Sequence, residues 1–226
     1  MPVASLPPLF SSLFSLLAIA SLLLAFAILA SRWVRRYLQA FALQSWMIAG
    51  ISAAVAYAGH YPELYLVAAL TALFRGCLLP WLLWRMVGKP EAGRELHLSV
   101  QASSSLVIGA LAVLFALVVA NRLAAALGLA DTVAVLALTV MLAMEMIGFL
   151  LLAVRHEAIS QVLGLLVLEN GVFLGAQMLI PGMPLFIEIV LLFDLLIMVL
   201  CFGLLARHLR ANLGATSATA LRRLVG

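Results

Sequence analysis

The chain reads as an all-α membrane protein of seven transmembrane helices, with its N-terminus outside and its C-terminus cytoplasmic. Three observations predict this. Of the 226 residues, 66% are hydrophobic and 10% charged, against about 25% charged in a soluble domain. The apolar residues form uninterrupted runs of the ~20 residues that cross a bilayer as a helix. A membrane β-barrel would instead alternate in polarity over about 10 residues. The basic residues also sort by side. With seven spans, Arg32, Arg35, Arg36, Arg85, Lys89, Arg94, Arg155, Arg207, Arg210, Arg222 and Arg223 share one side, Arg122 stands on the other, and Arg75 lies within the membrane. Basic loops stay in the cytoplasm, which sets the orientation.

Taken in order, the opening stretch MPVASLPP has no basic side chain before the first apolar run, 9–30. That run is too long for a signal-peptide core and its arginines follow it, so it is expected to remain as the first helix. The second span covers about 38–58, and His60 and Pro62 mark a turn into the third, 63–84. The polar stretch RMVGKPEAGRELH leads to the fourth, 98–120, and NRLAAALGLAD to the fifth, 132–154. Arg155, His156 and Glu157 make a tight turn into the sixth, 158–180, and IPGMP another into the seventh, 184–207. Residues 208–226 read as a cytoplasmic tail. The whole chain, 1–226, forms a single transmembrane domain without internal repeats.

Four ionisable residues fall near the middle of their spans: Arg75, Glu145, Glu169 and Asp194. Glu63 and Glu188 lie nearer the outer ends, within reach of water. A charge at mid-bilayer costs roughly 2.5–3.5 kcal/mol on insertion scales, so such residues read first as functional. The structural reading stands beside it, with Arg75 and one acid as interhelical glue. Which acid pairs with Arg75 is left open by the sequence. One cation among three acids leaves carboxyls in excess, and from these an exchangeable proton is expected. Pro80 cannot donate to the carbonyl of Gly76, so a bent third helix with a free acceptor beside a charge is expected.

Other polar residues carry weaker signals. Gln44 and the Ser103, Ser104 and Ser105 cluster read as helix-packing groups. Met141, Met144 and Met146 read as core filler, and His60 as an exposed loop residue. Cys77 and Cys201 lie apart within predicted spans and read as small buried apolar residues. No CxxC, His/Cys cluster or Gly-rich phosphate loop occurs, so neither metal nor redox chemistry is expected in the chain itself. No basic face with interleaved aromatics points to nucleic acid.

The strings ISQVLGLLVLENG and FRGCLLPWLL, and the seventh-span acid followed by LLARHLR, resemble the hydrogenase-4 component E family. These are membrane subunits of formate hydrogenlyase-type, group 4 energy-converting hydrogenase complexes. The resemblance covers essentially the whole chain and is most specific from Glu145 to Arg210. The last three spans are also similar to the three-helix K subunit of respiratory complex I, which has a glutamate in each of its second and third helices. Asp194 matches the second of these by its position in the helix. For the first, aligning Gly164 and Asn170 puts Leu166 where the glutamate would stand, with Glu169 about one turn, ~4.5 Å, further on.

The resemblance implies a multi-pass subunit of the bacterial cytoplasmic (inner) membrane. It would bridge antiporter-like membrane subunits and peripheral redox subunits, the latter holding the iron–sulfur clusters and the nickel–iron centre. This chain would carry no cofactor, and Glu169, Asp194, Glu145 and Arg75 would serve a proton relay. A stand-alone secondary transporter with midplane acids coupling an ion is the competing expectation. A retinal photoreceptor is excluded, because the only lysine, Lys89, lies in a predicted loop.

Overall fold

The computed structural model describes residues 7–92, 102–129, 131–155 and 158–179, and scattered helical positions between 185 and 203. Six helices cover the continuous part, and no strand accompanies them among the described residues. They are α1 (Pro8–Ala30), α2 (Val34–Gly59), α3 (63–92), α4 (Ala102–Ala126), α5 (Thr132–Val154) and α6 (Ala158–Leu179). Among the described residues, five helices are long and apolar enough to cross a membrane: α1, α2, α4 and α5, and the Glu63–Arg85 portion of α3.

The helix ends follow local rules. Pro8 opens α1, where its missing N–H is no loss. α2 stops at His60, whose left-handed backbone (φ 57°) turns the chain so that Tyr61 N–H closes on Ala56 O at 3.1 Å. Glu63 then places a negative charge at the start of α3, where the helix dipole favours it. α4 ends in a Schellman turn around Gly128, with Leu129 N–H on Ala124 O at 2.8 Å and Gly128 N–H on Ala125 O at 3.2 Å.

Three boundaries differ from the expected spans. α2 begins at Val34 rather than near 38, because Arg35 and Arg36 continue the helix with exposed side chains that extend their stems toward water. α3 runs on through Ala92, into the stretch expected to be a polar loop. α4 runs on to Ala126, past the expected end at 120. Asn121 there bonds its own helix through Leu117 O at 2.7 Å, and the alanines beyond it are strong helix formers. The seventh span, 184–207, with its Asp194 and Glu188, and the tail 208–226 lie outside the continuously described residues.

α2 is the centre of the bundle. It packs on α1, α3 and α6, so its buried set is broad rather than a single stripe and includes Tyr37, Phe41, Gln44, Ser45, Ile48 and Ser52. α1, at the side, buries one stripe of Phe14, Ala18, Ser21, Ala25 and Ile28, at the i, i+3/i+4 spacing of a single contact face. α4 packs on α5 and α1 and leaves Val107, Leu111, Leu114, Phe115 and Val118 outward. Aromatic residues mark both ends of the bundle. Trp33, Trp81 and Trp84 are exposed toward the 31–33 turn, and Tyr57 and Tyr65 flank the 60–62 turn, as expected for side chains at the two bilayer interfaces.

α3 changes pitch midway. Its α-helical start, Glu63–Leu70, widens into a π-helical stretch, Thr71–Leu78, before returning to α-helix at Leu79–Ala92. Leu79 N–H reaches back five residues to Phe74 O. Pro80 follows directly, and its ring would press on the carbonyl four residues back. The expected kink at Gly76 is thus replaced by a widened turn. Gly76 faces Trp46 of α2, whose Nε1 would lie 2.9 Å from any Cβ added there. Cys77, next in the π stretch, points out of the bundle and is exposed. This corrects the expectation that it is buried: the widened turn gives the inward direction to Arg75 and Gly76. Cys201 lies outside the described residues.

α5 and α6 pack antiparallel along a glycine seam. A Cβ on Gly148 would lie 2.9 Å from Gly164 O, and one on Gly164 would lie 3.2 Å from Gly148 O. Further along, Gly171 faces the Met141 carbonyl at 3.1 Å, and Gly175 sits against the Met141 side chain. Small residues at this spacing let backbones approach closely in a bilayer, where packing must replace hydrophobic drive. Met144 is fully buried, as expected of core filler, whereas Met141 and Met146 are half-buried.

A buried arginine fastens one end of the bundle. Arg155, 1% exposed, donates through Nη2 to Leu29 O at 3.2 Å and Ser31 O at 2.7 Å. Its guanidinium also lies 5.9 Å from the Tyr37 ring centre. The residue expected in a tight turn is therefore a cationic cap on the C-terminal carbonyls of α1, where helix-end charge and orphan acceptors both favour it. It also establishes that the α1–α2 and α5–α6 turns share one end of the bundle.

The glycine seam yields a direct test. Gly148→Val forces a side chain into a backbone and is expected to cost at least the ~1–3 kcal/mol typical of overpacking. The measurement is thermal unfolding in detergent, with a fall in midpoint and membrane level expected. Gly50→Ala, whose Cβ would meet only Leu17 Cδ1 at 3.4 Å, should stay near the parental value.

Candidate functional site

The polar residues of four helices converge where α3 carries Arg75. Arg75 is thirteenth from the start of the span Glu63–Arg85, which has 23 residues, and so stands at its middle. The guanidinium is 1% exposed. Its Nη1 donates to Asn170 Oδ1 at 2.9 Å, and its Nη2 lies 3.6 Å from Glu169 Oε2. The Phe173 ring, one turn along α6, is 5.6 Å from the guanidinium carbon. Glu169 and Asn170 are themselves 4% and 0% exposed.

Asn170 links this pair to the rest of the bundle. Its Nδ2 donates to Gln44 Oε1 at 3.0 Å and reaches Ser45 Oγ of α2 at 3.5 Å. Gln44 Nε2 in turn donates to the Ser21 carbonyl of α1 at 2.9 Å. One amide therefore accepts from a cation and donates to a neutral side chain, which uses both of its ends. The chain Ser21–Gln44–Asn170–Arg75–Glu169 ties α1, α2, α3 and α6 together at one depth. Two turns along α2 and α6 a second polar pair follows, with Gln177 Nε2 donating to Ser52 Oγ at 2.6 Å and Ser52 Oγ donating to Ile48 O at 3.1 Å.

The electrostatics follow from the separations. An arginine keeps its proton in any protein environment, so at this site it is a fixed positive charge. The Arg75–Glu169 contact is longer than a hydrogen bond, and the short charge-assisted bond goes to the neutral Asn170. The cation is thus tied to α6 by a hydrogen bond to an amide as well as by attraction to the carboxylate. A carboxylic acid is in general a group that can take up and release a proton where water reaches it.

Of the four residues singled out from the sequence, the structure brings Arg75 and Glu169 together among the described residues. Glu145 sits beside the glycine seam, its backbone nitrogen 3.3 Å from the Cβ position of Gly171. Its side chain, however, is half-exposed and lies outside the cluster. Asp194 lies outside the described residues. Sequence reasoning missed Asn170, Ser45, Ser52 and Gln177, and ranked Gln44 as a packing residue. A signal was present. Ser45 and Ser52 on α2, and Asn170 and Gln177 on α6, repeat at seven residues, which puts each pair on one helix face.

The pairing predicts a rescue pattern. Arg75→Leu leaves the buried carboxylate without its cation, a loss of about 3–5 kcal/mol, expected as a lower unfolding midpoint and poor accumulation. Adding Glu169→Gln should restore part of the loss, and adding Glu145→Gln should restore none. Equal rescue by both would show that the 3.6 Å contact is not what holds Arg75.

No protein-family model matches the chain, and no solved structure matches it. A curated relative does: the uncharacterized protein Rv0085 of Mycobacterium tuberculosis is 34% identical over 151 residues, 66% of this chain and 67% of that protein. At that identity and coverage, the chain belongs to the same family as the Mycobacterium tuberculosis protein Rv0085.

Proposed function

We propose that the chain is a membrane subunit of a complex I-related, energy-converting hydrogenase or similar redox-driven ion pump, of the hydrogenase-4 component E type. The observation that carries this reading is the Arg75–Glu169 pair, buried at mid-span and joined by hydrogen bonds to neutral polar side chains of two further helices. A packing contact in a bilayer needs no net charges, and a midplane acid on an arginine is the expected core of an ion path. The subunit has seven spans with the N-terminus outside and lies in the bacterial cytoplasmic membrane. It bridges antiporter-like membrane subunits, while the iron–sulfur clusters and nickel–iron centre reside in peripheral partners.

In this reading each residue has a defined task. Glu169 binds and releases the proton, with Asp194 the next acid along the path and Glu145 a lateral one facing a neighbouring subunit. Arg75 sets the charge state of Glu169. Asn170 keeps Arg75 in place while Glu169 is neutral, because its bond to Nη1 does not depend on the carboxylate.

One observation favours a second reading, a stand-alone secondary transporter. α3 interrupts its α-helical pitch at the buried charge, and transporters often place sites at discontinuous helices. Purification of the tagged chain separates the two, since a transporter emerges alone and a subunit emerges with iron–sulfur partners.

Two experiments test the proposal. Reporter fusions after Arg94 and at the C-terminus should give cytoplasmic signals and a fusion at His60 an external one; a periplasmic C-terminus would overturn the seven-span arrangement. The second is proton translocation in vesicles holding the purified complex, together with uncoupled redox turnover. Glu169→Gln and Asp194→Asn keep size and hydrogen bonding but cannot exchange a proton. Both variants are expected to retain assembly and redox turnover and to lose pumping. Pumping at the parental rate in both would reduce these acids to packing elements.

A further inference from the structure

The two halves of the bundle on either side of Arg75 differ in character. Toward the 60–62 turn, α2 and α6 run side by side and each repeats its polar residue after seven positions: Ser45 then Ser52, Asn170 then Gln177. Both steps are two turns, ~10.5 Å, in the same direction. The rungs are bonded across the helices at both levels, Asn170 to Ser45 at 3.5 Å and Gln177 to Ser52 at 2.6 Å. On α3, which runs the other way, Thr71 is fully buried four residues before Arg75. It therefore stands at a level between the two rungs.

Toward the Arg155 end the same three helices bury apolar side chains over the two turns next to the site. Phe41 of α2, Leu79 and Leu83 of α3, and Leu163 and Leu166 of α6 are all within 3% of full burial. Beyond them come two buried polar side chains, Tyr37, which lies against Arg155, and Ser160. Buried polar atoms without a hydrogen-bond partner among the described residues occur at the far end too, at Tyr37 Oη and Ser160 Oγ, but there they lie beyond the apolar layer. Gln177 is 0% exposed, yet its Oε1 has no hydrogen-bond partner among the described residues. A buried amide oxygen is nearly always satisfied, by protein or by water, and a polar site with several donors and acceptors is where buried water sits.

We infer that the Arg75–Glu169 site is hydrated from one side only, through a half-channel built from Thr71 and the Ser52–Gln177 pair. It opens toward the bundle end that carries His60. The apolar layer around Phe41, Leu79 and Leu166 seals the other half. Water and protons are what this path takes: each hydroxyl accepts a proton on one side as it donates one on the other, so a proton from water at the His60 end is delivered to the Glu169 carboxylate without net change in the residues between. The inference rests on the relay reading of Glu169 and adds the side from which the relay is filled.

The test is reactivity of single cysteines in the full chain carrying Cys77→Ser and Cys201→Ser. The probe is a membrane-impermeant, positively charged methanethiosulfonate, which reacts with the thiolate and hence with thiols in contact with water. His60→Cys identifies the face that the half-channel should open to. Ser52→Cys and Thr71→Cys are expected to react from that face at least about tenfold faster than Leu79→Cys and Leu166→Cys react from either, because ionisation of the thiol requires hydration. The two hydrated positions serve as mutual controls, so if one variant fails to accumulate the other decides. Equal, slow reaction at all four positions overturns the half-channel, as does fast reaction of Leu79→Cys from the opposite face. Its failure is distinct from failure of the relay. Unreactive Ser52→Cys and Thr71→Cys with pumping lost in Glu169→Gln would remove the half-channel alone; reactive cysteines with normal pumping would remove the relay and leave a hydrated pocket.

Discussion

At the middle of a bilayer the lipid offers a polar group no hydrogen bonds, so a polar atom placed there must find its partner in the protein or in water the protein admits. The side-chain amide of Asn170 meets that constraint at both of its own ends. Its oxygen takes the Arg75 guanidinium and its nitrogen the Gln44 amide. Without it Arg75 would lose its short hydrogen bond to α6, and Gln44 would have a buried acceptor to satisfy elsewhere. The arrangement of α1, α2, α3 and α6 around one depth is the geometric expression of that single bifunctional group.

The rest of the fold brings Asn170 to its place. α6 reaches Arg75 only because it lies close against α5, and the glycines at 148, 164, 171 and 175 permit that approach. At the other end of the same helix pair, Arg155 ties the α5–α6 turn to the last carbonyls of α1. Position along the axis is thus set at one end by a charge on helix-terminal acceptors, and lateral distance by the absence of side chains. The π-helical stretch of α3 completes the geometry by turning Arg75 and Gly76 inward ahead of Pro80.

Much of this is legible in the sequence, and the remainder is not for identifiable reasons. Apolar run length locates α1, α5 and α6 to within a residue or so, because long hydrophobic segments end where water begins. It misplaces the start of α2 and the end of α3, where arginines and other polar residues continue a helix past the apolar zone. Arg75 and Glu169 stand out as charges in apolar runs, but their pairing depends on the rotation of α3 about its axis, which the π stretch alters. Asn170 carries no charge, so it is inconspicuous beside Glu169. Arg155 is misread for the opposite reason. Flanked by His156 and Glu157, it looks like a solvated turn, and only the tertiary meeting with Leu29 and Ser31, more than a hundred residues earlier, makes it a buried one.

The sequence separation within the central cluster bears on how the protein is made. Arg75 is 95 residues ahead of Asn170, and chains are synthesised at about 5–20 residues per second, so α3 leaves the ribosome roughly 5–20 s before α6 can supply its hydrogen-bond partner. During that interval a guanidinium stands in the middle of a helix with none of its α6 contacts. Insertion of α3 therefore cannot draw on the stability of the finished site. The nascent helix must wait in a polar vestibule or against α2 until the last glycine-lined helix arrives, which makes the completion of this bundle a late and concerted event in its biogenesis.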